Sequence, residues 1–233
     1  MTTSNPNKVF ISHASGDKEL IVPLESAITG ISAGAISGFA SVKVGTISSG
    51  EVWLTEIQKA LEQSKVALFV LTPLSITRPW LWFETGAAWQ QFGYSQVDQP
   101  DSTPTYRRIP LYLNLSPKDI QIPFAELQAV NLADEDQLRA FFLDLRSTYG
   151  IAGNEHPAVQ RLIEGQIQEF LGRIKPLINN PVLTEEQKKL KEILLDLAGR
   201  AAIQPLDLDA FMLNKLLPLP HIQEIKRHIP PRK

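Results

Sequence analysis

The sequence predicts an α/β protein built on a doubly wound parallel sheet, and three observations predict it. Short apolar runs alternate with stretches of helical periodicity along the first two thirds of the chain. The run Val66-Ala67-Leu68-Phe69-Val70-Leu71 is apolar throughout, as a central parallel strand covered on both faces requires. Strand-like runs end in turn or cap chemistry that opens the next helix, as at Ser15-Gly16-Asp17 and Ser48-Ser49-Gly50.

Taken in order, Lys8 to Ser12 is a short apolar strand, and Ser15-Gly16-Asp17 caps a helix running through Leu20, Leu24 and Ile28. A weaker strand is expected around Ser41 to Ile47, leading into a helix whose Leu54, Ile57 and Leu61 recur at helical spacing. Thr72-Pro73 ends the third strand, and Pro79 is a natural first-turn residue for a helix from Trp80 to Phe92. A polar loop, 93–105, precedes a strand at Ile109 to Leu113, which Pro110 weakens. Leu127 to Leu132 reads as a short edge strand, and Glu135 to Tyr149 as a helix with Leu138, Phe141, Phe142 and Leu145 at core spacing. Beyond a break at Gly150 to Pro157, a helix passes through Phe170 and Ile174, and Pro176 and Asn179-Asn180-Pro181 punctuate the chain. Thr184-Glu185-Glu186-Gln187 is a capping box before Leu190, Ile193, Leu194 and Leu197, with further short helices near Phe211 and Ile222.

Composition narrows the functional classes. The 233 residues are 43% hydrophobic, enough for a full core, and a formal charge of −2 leaves no electrostatic footprint for nucleic acid. With no cysteine there is no disulfide, thiolate site or cysteine nucleophile, and His13, His156, His221 and His228 are too dispersed for a metal motif. The first residues, Met1 to Pro6, lack the basic and apolar regions of a secretory signal, so a cytoplasmic protein is expected. The uncharged run Ser26 to Val42 is diluted by serine, threonine and glycine below the roughly 18 apolar residues of a membrane span. Gly30, Gly34 and Gly38 read as a helix end and a flexible loop.

The most informative stretch is Trp80-Leu81-Trp82-Phe83-Glu84-Thr85-Gly86, which sets one carboxylate among aromatic rings at the start of a helix. Trp80 and Glu84 are four apart and share a helical face. Two readings stay open. Glu84 is a first-turn acid favoured by the helix dipole, with the tryptophans as core, or the acid and a ring share a pocket. Trp82 should point away from Glu84, and Trp89 suits the sheet-facing core.

Together, Val9-Phe10-Ile11-Ser12-His13, Gly50 leading into Glu56-Ile57, Ser64 to Thr72, and Trp80 to Glu84 resemble a TIR (Toll/interleukin-1 receptor) domain. The resemblance covers residues 7 to 150, rests on order and spacing, and is strongest to the prokaryotic branch. It implies a flavodoxin-like sheet and a mobile loop after the second strand that mediates head-to-tail assembly. With the punctuation at Pro176 to Pro181, the chain divides into a TIR domain at 1–178 and a helical extension at 183–233, an adaptor or an oligomerisation element.

Enzymatic members of the family cleave NAD⁺ between ribose and nicotinamide with a glutamate of the third helix, and Glu84 matches that position. NAD⁺ is then a substrate, and no cofactor or metal is required. Breaking the bond leaves an oxocarbenium-like ribose, which a nearby carboxylate stabilises. Burial among Trp80, Trp82 and Phe83 opposes the charged form, so ribose hydroxyls or backbone donors must hold it. Trp80 either meets nicotinamide or ribose or packs. Trp53, beside the Ser48-Ser49-Gly50 loop, either caps the pocket or packs, and Ile47 and Ser48 join the substrate-facing set. Ligands of parallel sheets bind at the carboxyl ends of strands, which adds Ser12, His13, Ala14 and Ser15. His13 supplies either acid chemistry or a loop hydrogen bond, and Lys18 either neutralises a phosphate or lies on an exposed face.

Two departures stand out. Ala14 and Ser15 replace arginines that several active relatives carry, and Gly45-Thr46 lacks the acid many TIR domains place there. The resemblance implies an NAD⁺-consuming effector of bacterial antiviral defence, quiet as a monomer and active when an upstream sensor stacks copies. Its products would be nicotinamide with ADP-ribose or a cyclic isomer. The competing class is a non-catalytic scaffold for TIR–TIR contacts. A response-regulator-like module would need an acidic cluster after the first strand, which Asp17 alone does not supply.

Overall fold

A computed structural model describes residues 7–40, 53–76, 78–92, 106–179, 183, 185–199, 217 and 219–229. Five strands make one parallel sheet: β1 (Asn7–Ser12), β2 (Ile36–Ala40), β3 (Ser64–Leu71), β4 (Arg107–Tyr112) and β5 (Val130–Asn131). Their order is β2-β1-β3-β4-β5, the flavodoxin-like arrangement. The helices are α1 (Lys18–Ile31), α2 (Trp53–Glu62), α3 (Pro79–Phe92), α4 (Glu135–Thr148), α5 (Pro157–Asn179), α6 (Glu185–Gly199) and α7 (Leu219–Arg227).

The pleat explains why the central strands are apolar at every position. Phe10, Ala67, Phe69, Leu71 and Tyr112 point to one face and pack with Ile57 and Leu61 of α2, Leu81 and Ala88 of α3, and Phe124. Val9, Ile11, Val66, Leu68 and Val70 alternate with them and are equally buried, so the opposite face is covered too. Each such large side chain contributes about 1.5–3 kcal/mol on burial.

Pro110 sits inside β4 without breaking a ladder. The Leu113 amide donates to the Leu71 carbonyl of β3, so by alternation the Pro110 nitrogen faces β5, and β5 pairs only Leu111 and Tyr112. Between α1 and β2, Ser32 accepts the Ile36 amide at 3.0 Å and Gly34 takes φ +84°, a conformation that suits glycine. Arg146 is buried on α4 and donates to the Ile31 carbonyl at the end of α1, to Asn154 Oδ1 at 2.7 Å and to the Ala152 carbonyl at 3.0 Å.

The structure corrects several expectations. The second strand begins at Ile36 rather than near Ser41, and Gly38 lies in it rather than in a flexible loop. A β-carbon at Gly38 would stand 3.0 Å from side-chain atoms of both Glu25 and Ile11, so close packing of α1 and β1 onto β2 explains the glycine. Pro176 does not end a helix, because α5 continues through it to Asn179. Trp89 is only half-buried, with the Arg108 guanidinium 4.1 Å over its ring. The expected strand residues Ser41 to Ile47, the loop 93–105, Thr184 of the capping box and the helix near Phe211 lie outside the described residues.

The chain divides into two compact units, residues 1–174 and 175–233. In the second, Leu183, Leu194, Leu217, Ile222 and Ile225 form a small core, and Lys191 pairs with Glu224 at 2.7 Å.

Candidate active site

The sheet changes direction between β1 and β3, whose neighbours β2 and β4 lead outward on opposite sides. That switch point is where open α/β sheets hold ligands, at the carboxyl ends of the strands. Ser12 closes β1 there, and α3 crosses the same end after the segment following β3.

The burial of α3 shows why Glu84 faces the sheet. Leu81, Glu84, Thr85 and Ala88 are buried and follow the three- and four-residue spacing of one stripe, while Trp80, Phe83 and Gly86 are exposed. A carboxylate therefore occupies a place on the apolar stripe. Glu84 is 0% exposed, as is Ser12, whose hydroxyl donates to Glu84 Oε2 in a short bond of 2.5 Å. Glu84 is the sixth residue of α3, so it stands beyond the first turn where the helix dipole favours an acid.

The rings beside Glu84 in the sequence go to different places. Trp80 and Phe83 are 37% and 44% exposed and stack on each other, centroids 5.0 Å apart at 27°. Trp82 turns the other way, donating from Nε1 to the Ile76 carbonyl at 3.2 Å and packing on Phe124. The stacked rings are an i, i+3 pair on the exposed side of α3.

Of the residues after β1, His13 and Ala14 are buried and Ser15 is exposed. His13 Nδ1 lies 3.3 Å from the Ile11 carbonyl, and desolvation lowers its pKa against weaker upward pulls from that carbonyl and Glu25. Burial thus works against the protonated imidazole that acid chemistry would use. Lys18 is exposed at the start of α1. Ile47 and Ser48 lie outside the described residues, and of Trp53 only the backbone, at the start of α2, is described.

Asp17 takes the N-cap position of α1 that the sequence gave it, but its carboxylate makes no cap bond and instead accepts from Thr72 Oγ1 at 3.0 Å. The three-residue spacing of Thr72 and Ser75, at which hydroxyls bond neighbouring backbone, marks the turn but gives no sign of Asp17.

A cleft of about 440 Å³ lies elsewhere, lined by Arg107 and Ile109 at the start of β4 with Val130, Gln137, Phe141 and Asp144. It contains neither Ser12 nor Glu84 and opens at the wrong end of β4 for a switch-point ligand. Among the described residues no group of His, Asp or Glu could hold a metal ion, and no helix is long and apolar enough to cross a membrane.

The family model for the TIR domain matches residues 9–143, more than half of the chain. The chain belongs to the TIR domain family. Among solved structures, the TIR domains of the activated Roq1 resistosome directly recognizing the pathogen effector XopQ align with 82% of this chain and 99% of that one, at 13% identity and a TM-score of 0.34. No curated protein matches the chain.

Proposed function

We propose that this TIR domain cleaves NAD⁺ at the bond between ribose and nicotinamide, with Glu84 as the catalytic carboxylate. The supporting observation is Glu84 itself, a carboxylate on the sheet-facing stripe of α3, bonded to Ser12 at the switch point of the sheet. Burying a carboxylate costs several kcal/mol, which an apolar residue at that place would avoid.

The bond between ribose C1′ and the nicotinamide nitrogen breaks with its electron pair going to that nitrogen, which neutralises the pyridinium. Positive charge moves onto C1′ and the ring oxygen. Glu84 stabilises that charge and accepts hydrogen bonds from ribose hydroxyls, taking in the substrate the kind of donor that Ser12 offers in its absence. Water then adds to C1′ and loses a proton, giving ADP-ribose, or an adenine nitrogen adds and gives a cyclic isomer. Trp80 and Phe83, exposed at the start of α3, offer an aromatic face to the cationic ring.

A fully buried Glu84 meets no substrate until the site opens. Head-to-tail assembly of TIR copies, driven by an upstream sensor in antiviral defence and aided by the helical unit after residue 175, supplies that opening. A non-catalytic scaffold is the second reading, favoured by the exposed Trp80–Phe83 pair as a surface for another TIR domain. NAD⁺ loss in assembled wild type and Glu84→Gln separates the two, since only the enzyme consumes NAD⁺ and only through Glu84.

A further inference from the structure

A second hydrogen bond, besides that of Ser12 to Glu84, ties the segment after β1 to the segment that delivers α3. Thr72 Oγ1 donates to the two carboxylate oxygens of Asp17, at 3.0 and 3.1 Å, and both residues are buried. Asp17 is held on its side by its amide on the Ala14 carbonyl, 2.9 Å. Thr72 is held on the other: its Oγ1 accepts the Ser75 amide at 3.0 Å, and Ser75 Oγ accepts the Thr72 amide and donates to the Val70 carbonyl, each at 2.8 Å. This turn is tied to α3: the Ile76 carbonyl accepts from Trp82, the Arg78 amide donates to the Ser75 carbonyl at 2.9 Å, and the Arg78 carbonyl accepts the Leu81 amide at 3.1 Å. The two segments also press together, since a β-carbon on Gly16 would stand 2.3 Å from Leu74 Cδ2.

Stability alone does not ask for an acid at this junction. Burial pushes the Asp17 carboxyl up to about 6, against the opposing pulls of the Thr72 hydroxyl, the Ala14 backbone and the Arg78 guanidinium. At neutral pH the group is held ionised at a cost, and such costs are retained where geometry serves a site.

We propose that Asp17 and Thr72 are positioning residues for the reaction at Glu84. Their bond fixes the turn 72–76 against the end of β1, and through the bonds of Ile76 and Arg78 to the first turn of α3 it sets where the Glu84 carboxylate stands relative to Ser12. The kinetic form of this inference rests on the NAD⁺-cleaving reading. Its structural form, a coupling of Thr72 to the surroundings of Glu84, stands apart from it.

The test uses the full chain with Thr72→Val, which keeps the shape and removes the hydroxyl, Asp17→Ala, which removes the acceptor, and Thr72→Ser, which restores the donor. Under assembly conditions, kcat for NAD⁺ in Thr72→Val and Asp17→Ala should fall about 10- to 100-fold, the penalty of a slightly misplaced catalytic group. KM should stay within about threefold, because binding groups are untouched, and Thr72→Ser should recover the rate. In the same proteins without substrate, the side-chain carboxyl carbon resonance of Glu84, assigned by its loss in Glu84→Gln, should move in the first two variants and return in Thr72→Ser. Should one variant fail to fold, the other carries both readouts. If wild type leaves NAD⁺ intact while the Glu84 resonance still moves, the NAD⁺ reading fails and the positioning pair stands. An unmoved Glu84 resonance overturns the proposal, as does a wild-type kcat in either variant of an active protein.

Discussion

The hydroxyl of Ser12 donates to the carboxylate of Glu84 across 72 positions of sequence, joining the end of β1 to the sheet-facing side of α3 with both groups out of solvent. Ser12→Ala removes a donor from a buried acceptor, and a buried polar group losing its partner costs about 1–3 kcal/mol. Thermal unfolding of the variant should show that loss, together with a fall in kcat for NAD⁺. Wild-type stability in Ser12→Ala would mean that the bond does not hold the carboxylate.

Asp17 should make stability depend on pH in the sense opposite to most acids. Its folded value of about 6 exceeds the ordinary 3.8, so the folded state binds the proton more tightly. The contribution is fully present below about 3.8 and is lost as pH rises through about 6, a difference near 3 kcal/mol. Asp17→Asn does not titrate, so it should be more stable than wild type by about 1–3 kcal/mol at pH 8 and show little gain at pH 4. Urea unfolding at the two pH values checks this. A gain independent of pH would remove the burial argument.

How much of this was legible in the sequence differs from element to element. The continuous apolar run of β3 and the helical periodicities of α1 and α4 announced themselves because each packs on a sheet face with one residue type. β2 was misplaced because Ile36-Ser37-Gly38-Phe39-Ala40 carries a glycine chosen for the approach of Glu25 and Ile11, which propensity reads as a loop. Glu84 was legible as an unusual acid, while its partner Ser12 was reached only through the rule that ligands sit at strand ends. Asp17 and Thr72 were invisible as a pair, because nothing in the sequence brings residues 55 apart together.

Arg146 should be a large contributor to stability although it touches no catalytic group. Its guanidinium meets the Ile31 carbonyl, at the negative end of the α1 dipole, and oxygens of Asn154 and Ala152. Arg146→Ala leaves the buried Ile31 carbonyl without its donor and opens space beneath α4, which should cost about 3–5 kcal/mol. A urea midpoint within error of wild type would contradict it.

Trp80 should behave in the opposite way. It is 37% exposed and stacks on Phe83, so Trp80→Ala should cost no more than about 1 kcal/mol while raising KM for NAD⁺ roughly tenfold. A marked loss of stability with an unchanged KM would place Trp80 in packing alone.

The measurement that bears most directly on the account is NAD⁺ consumption with product identification by chromatography, at high protein concentration with a crowding agent, for wild type, Glu84→Gln and Glu84→Ala. The account predicts that wild type releases nicotinamide with ADP-ribose or a cyclic isomer, and that both variants fold, assemble and leave NAD⁺ intact. Intact NAD⁺ in demonstrably assembled wild type, or undiminished turnover in Glu84→Gln, would contradict it and leave the domain as a scaffold or its chemistry at another residue.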